Sequence, residues 1–178
     1  MKVDLIIENA TMVTASDVHP RQVIVVQNRK ILAVGQDLDS IFTAETVIDA
    51  QHAFVMPGGV DSHVHVDQDN ASTGDKFESG TRSAITGGTT TIIAFATQER
   101  HQQSLYPVVA DYHSRASGQS YCDYGFHIIL TNPTPTIVRE ELPRFVSEGI
   151  TSVKLYMTYE PMKLRDEEIL DVMMATRS

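Results

Sequence analysis

From Gly58 onward, strand-like and helix-like stretches alternate four times, and no other feature restricts the fold of the chain as strongly. "GGVDSHVHV" leads into a helical stretch through "DKFESGTRSAIT", which Gly87 and Gly88 can end by adopting positive φ. "TTTIIAFA" reads as a β-branched strand. Leu105, Val108, Val109, Tyr112 and Ala116 then recur at helical spacing, and Gly118 closes that stretch. "DYGFHIIL" is a third strand, followed by a helix marked by Leu142, Phe145 and Val146 and ended at Gly149. "ITSVKLYM" is a fourth strand, and "DEEILDVMMATR" a fourth helix with acidic residues in its first turn. Each repeat has roughly the 30 residues that a βα unit needs. Runs such as "FHIIL" are apolar on both faces, as buried parallel strands are. The alternation therefore predicts an α/β fold with a parallel sheet. A doubly wound sheet and half of a (β/α)8 barrel both satisfy it, and 178 residues fall short of the roughly 250 of a whole barrel.

The first 56 residues follow another regime. Short apolar segments, "DLIIENATMV", "QVIVVQNRKILAVG" and "TVIDAQHAFVMPG", lie between polar turns. Val23–Val26 and Ile31–Val34 flank "QNRK", a hairpin-like connection. The expectation is a small antiparallel sheet over residues 1–56 and the βα units over 57–178, with the switch near Met56–Gly59.

Charge and cysteine content narrow the function. The net charge is −9 and no cluster of Lys and Arg interrupts it. Nucleic acid and anionic membrane surfaces both require a concentrated positive face, so neither is expected as a partner. Cys122 is the only cysteine, which excludes an intrachain disulfide and points to no oxidising compartment. No run approaches the ~18 apolar residues of a membrane span. The expected location is the cytoplasm.

"GGVDSHVHVD" ends the first parallel strand with two histidines one residue apart. Residues i and i+2 of a strand share a face, so Asp61, His63, His65 and Asp67 are expected on one side. Two such imidazoles can bind one zinc-like ion at ~2.0–2.1 Å, with Asp61 orienting a ring from behind. Two strand histidines with ordinary local hydrogen bonds fit the same spacing. The position, at the carboxyl end of a parallel strand after a Pro-Gly-Gly entry, is where α/β barrels place their chemistry.

The second feature is Lys154 in "SVKLYMTY", on a strand expected to be covered on both faces. A buried ammonium is costly unless paired, and burial favours the uncharged, nucleophilic amine. Such an amine can add CO2, giving a carbamate able to bridge two metal ions ~3.5–4 Å apart. A salt bridge, or an ammonium reaching out at the strand end, is the plainer alternative.

In this order and spacing, "MPGGVDSHVHVD", "GDKFESGTRSAITGGTT" and "SVKLYMTY" resemble the amino-terminal part of the hydantoinase/dihydropyrimidinase branch of the cyclic amidohydrolases. The likeness runs over almost the whole chain. It implies the amino-terminal half of a (β/α)8 barrel, preceded by part of a small β-sandwich that both chain ends build. It implies that His63 and His65 bind one zinc and that carboxylated Lys154 bridges two Zn2+ ions. Tyr159, five residues after the lysine, would polarise the substrate carbonyl and stabilise the oxyanion. Tyr156 would border the pocket for the ring substituent.

The implied reaction is ring opening of a hydantoin or dihydropyrimidine. A bridging water with lowered pKa attacks the ring carbonyl, and a carboxylate carries its proton to the leaving nitrogen. That carboxylate and two further histidines belong to later strands, which the resemblance places beyond residue 178. His19, His52, His101 and His113 do not replace them, and His127 reads as a core residue or a support for a ligand. The chain is thus expected to be an incomplete, inactive piece of an enzyme that forms a homo-oligomer, a tetramer, when whole.

Dihydroorotases resemble the pattern but carry an arginine where Asp67 stands, to hold a substrate carboxylate. An aspartate there would repel that group, which favours a small neutral cyclic amide as substrate. Three alternatives stay open: an allantoinase-like enzyme, a non-catalytic scaffold of the same fold, and a metal-free doubly wound domain. The cytoskeletal relatives of dihydropyrimidinase lack the metal histidines, and both are present here. Ala94 departs from the acidic residue that many relatives carry.

Overall fold

The computed structural model describes residues 1–69 and 74–177. The chain divides into two compact units, Met1–Pro57 and Gly58–Ser178.

The first unit is one sheet built on a long strand, β1 (Lys2–Val13). Strands β2 (Val18–Gln27) and β3 (Lys30–Gly35) form a hairpin beside it, and β1 pairs with β2 antiparallel. Asn28 and Arg29 make the hairpin turn with φ of 52° and 62°. Left-handed values at both central residues match the turn to the right-handed twist of the strands. The chain then passes a 3-10 turn at Leu38–Ser40 and returns to the other edge of β1 as β4 (Thr43–Asp49) and β5 (Phe54–Val55). Both run parallel to β1. The sheet is therefore mixed, and the expectation of an antiparallel sheet is corrected. With one edge of β1 occupied by the hairpin, the returning chain starts again beside Met1, where Thr43 N donates to the Met1 carbonyl at 3.0 Å. Val3, Ile6, Val23 and Val25 form the core of this unit.

The second unit is a four-stranded parallel sheet in the order β6-β7-β8-β9. The strands are β6 (Gly59–Val64), β7 (Thr89–Thr97), β8 (Asp123–Ile129) and β9 (Val153–Lys154). Each is followed by a helix: α1 (Phe77–Thr86), α2 (Tyr106–Ala116), α3 (Leu142–Ser147) and α4 (Asp166–Ala175). Gly88 and Gly118 hold φ of 91° and 72° just beyond α1 and α2, left-handed values that a side chain would strain. The order and direction of these strands are those of the first half of a (β/α)8 barrel.

The helices cover one face of the sheet. Ile92, Ala94 and Ala96 of β7 and Phe126 of β8 pack with Phe77, Val108, Tyr112 and Ala116. Ile128 and Leu130 pack with Leu105, Val109, Leu142, Phe145 and Val172. Ala94 lies wholly buried on this face.

Two elements differ from the sequence-based expectation. The third helix begins earlier, in a π-helical turn at Ile137–Glu141 whose Glu141 carboxylate accepts from Leu105 N, at the start of α2, at 2.6 Å. The fourth strand is reduced to Val153–Lys154. Among the described residues it pairs only with β8, so the flanking residues lack a second ladder to hold them extended. No helix in the described residues is long and apolar enough to cross a membrane.

Candidate functional site

The site begins with an irregularity in β6. Asp61 pairs with Ile92 and Val64 with Ala94, so three steps on β6 face two on β7. One residue is extra, a bulge at Ser62–His63. The Asp61 carboxylate accepts from His63 N at 3.0 Å, which braces the bulge. Asp61 thus supports the backbone of His63, where a contact to its ring was expected.

Past the bulge, His63 and His65 share the face opposite the helices, with ring centroids 5.5 Å apart. Both rest on Phe95 of β7. His63 meets it edge-on at 4.6 Å, and His65 stacks on it at 4.6 Å with an interplanar angle of 18°. From β8, in register with Phe95, His127 meets the same ring at 4.9 Å. From β9, Lys154 places Nζ 4.4 Å from its centroid. Four polar side chains, from β6 and the residue just past it, β8 and β9, therefore surround one phenyl ring, which is only 3% exposed. A cavity of about 410 Å³ opens there, lined by Ser62, His63, Phe95, His127 and Lys154 among others.

Lys154 is half-buried, so the expectation of a lysine sealed on both faces is corrected. A cation there gains from the π-face of the Phe95 ring. Burial holds the His65 imidazole below its ordinary pKa of 6.5; the charge of Lys154 and His63 add to the effect, and a hydrogen bond with Gln68 opposes it. A neutral imidazole offers a lone pair to a metal.

The tyrosines stand further out. Tyr156 lies 5.4 Å from Lys154 Nζ, and Tyr159 is reached through it, with ring centroids 5.8 Å apart. Tyr159 is exposed and lines a separate hollow with Thr97, Arg100 and Thr131. The structure thus gathers His63, His65 and Lys154 around Phe95, with Tyr156 at the margin and Tyr159 outside direct contact.

Asp67 does not continue the strand. It takes φ of 53°, and its carboxylate pairs with Lys76 Nζ at 2.7 Å. Arg115 donates to its carbonyl at 2.9 Å and holds Asp69 through both carboxylate oxygens. A carboxylate compensated in this way repels little, so the substrate argument drawn from Asp67 loses its force.

Sequence reasoning passed over Phe95. The structure pairs it with His127 in register, a relationship that the apolar pattern of β7 does not reveal. The remaining histidines lie elsewhere: His113 packs edge-on against Phe126 at 4.8 Å, and His101 is exposed beside Glu99.

The donor set suits a divalent metal in part. His63 and His65 are two imidazoles on one face, and Lys154 meets the same Phe95 ring that both of them touch. Among the described residues no group of three or more His, Cys, Asp and Glu side chains gathers to complete a site.

No family model matches the chain. It is 39% identical over 168 residues to a D-hydantoinase of Geobacillus stearothermophilus, covering 93% of this chain and 35% of that protein. A solved D-hydantoinase structure superposes with a TM-score of 0.87 at 38% identity, covering 98% of this chain and 37% of the other. A dihydropyrimidinase from Brevibacillus agri superposes with a TM-score of 0.87 at 34% identity, covering 97% and 37%. The chain spans about a third of the length of these relatives. On sequence and fold together, it belongs to the hydantoinase/dihydropyrimidinase family, whose amino-terminal part it matches.

Proposed function

We propose that the polypeptide containing this chain opens small cyclic amides, hydantoin or dihydropyrimidine rings, by hydrolysis. His63 and His65 would hold a divalent metal, and Lys154, once its neutral amine had added CO2 and released a proton, would offer carbamate oxygens to the same site. When bound, the metal supplies Lewis acidity toward the ring carbonyl and an activated water. Tyr159 donates a hydrogen bond to the carbonyl oxygen as charge builds there, and Tyr156 borders the ring substituent. Carboxylation turns the positive charge beside His65 negative, which removes the repulsion a second cation would meet.

The observation that carries this reading is the convergence of His63, His65 and Lys154 on Phe95 at the carboxyl ends of parallel strands. We place the activity in the cytoplasm, in keeping with a single cysteine, and in a homo-oligomer. The test is metal content and ring opening of hydantoin and dihydrouracil in the full natural polypeptide. Lys154→Ala and His63→Ala are expected to lose zinc and turnover. Unchanged zinc in both variants would remove the metal roles.

A further inference from the structure

We propose that His127 is a positioning residue that sets the spacing between the histidine pair and Lys154; this rests on the metal-site reading above. His127 sits on β8, yet its ring arches over Phe95 and bonds at both ends. Nε2 lies 2.8 Å from the Ser62 carbonyl, and Nδ1 is hydrogen-bonded to the Ser152 hydroxyl. A carbonyl only accepts, so Nε2 carries a proton and donates to it, and in the neutral ring Nδ1 accepts from the Ser152 hydroxyl.

Both partners sit at the critical places. Ser62 is in the bulge, immediately before His63, where the β6–β7 register breaks. Its carbonyl accepts from the imidazole beside that break. Ser152 immediately precedes β9, two residues before Lys154, and its own carbonyl accepts from Ile128 N at 3.2 Å. One side chain therefore links the backbone carbonyl just before His63 to the serine hydroxyl two residues before Lys154. Contacts beneath a metal site orient its ligands, and their loss costs roughly 10–100-fold in metal affinity or activity.

The test uses three variants of the full natural polypeptide, prepared metal-free. His127→Phe keeps the ring volume and removes both bonds. His127→Gln carries an amide nitrogen to about the reach of Nε2 and is expected to restore the Ser62 bond. Ser152→Ala removes the other. Two readouts are taken: zinc affinity by competition with a chelator, and backbone amide exchange in the absence of metal. His127→Phe is expected to weaken zinc about tenfold and to speed exchange at residues 61–65, with α2 unaffected. His127→Gln is expected to recover most of both, and Ser152→Ala to fall between. Wild-type zinc affinity and exchange in His127→Phe would overturn the proposal. So would exchange rising equally in α2, which would mean general destabilisation. If His63→Ala and His65→Ala bind zinc as the wild type does, the metal reading fails instead, and exchange at 61–65 still decides whether His127 holds the bulge.

Discussion

The imidazole of His65 lies almost flat on Phe95, 4.6 Å away and 18° from parallel. Phe95 thereby serves as the floor on which every gathered polar group of this face rests. Phe95→Ala is expected to cost about 3–5 kcal/mol, the usual loss for a large buried aromatic. Denaturant unfolding of the second unit measures it. The same variant should broaden the His65 and His127 ring signals in NMR, because the surface that orders them is gone.

His65 gives the site a pH dependence. Its folded pKa lies below 6.5, chiefly through burial and secondarily through the charges of Lys154 and His63. The unfolded chain therefore binds this proton more readily than the folded one. Stability is fully present above pH 6.5 and declines as pH falls below it toward the folded value. NMR titration of the metal-free protein should show His65 below 6.5, and Lys154→Met should bring it only part of the way back, since burial is the larger cause.

Arg115 anchors the segment that follows β6 through the Asp67 carbonyl and the Asp69 carboxylate. It holds Asp69 below the usual carboxylate range, so that ion pair contributes above the unfolded aspartate pKa of about 4 and is lost as pH falls through the lower folded value. Asp69 is largely in water, and solvent screening keeps the contribution to about 1 kcal/mol. Arg115→Met should lose that much by chemical denaturation and return Asp69 to an ordinary titration.

Gln98 is 1% exposed at the carboxyl end of β7. Its carbonyl oxygen accepts from Thr131 N at 3.0 Å and Asn132 N at 2.9 Å, and its amide donates to the Gln102 carbonyl at 3.0 Å. Gln98→Met fills the space but strands two buried N–H groups. A loss of roughly 2–3 kcal/mol is expected, read from the midpoint shift in urea.

The four βα units were legible because strand and helix periods differ, and "TTTIIAFA" and Leu105–Ala116 follow theirs over many residues. Strand direction in the first unit was not. It depends on the path of the connection through Leu38–Ser40, which leaves no mark on the apolar pattern of β4. The histidine pair was legible from period two, but the bulge adds a residue after Asp61, and Asp67 leaves the strand path through its own left-handed backbone. Phe95 stayed hidden because β7 is apolar on both faces, so no polar contrast marks which side it takes. The extent of β9 was overread, since pairing on one edge is a tertiary fact.

The long strand β1 binds β2 on one edge and β4 on the other over the same residues, Leu5–Ile7. It acts as the spine of its sheet. Disrupting that shared stretch, Leu5–Ile7, would unzip both neighbours together, whereas disruption of β3 would bare a single margin.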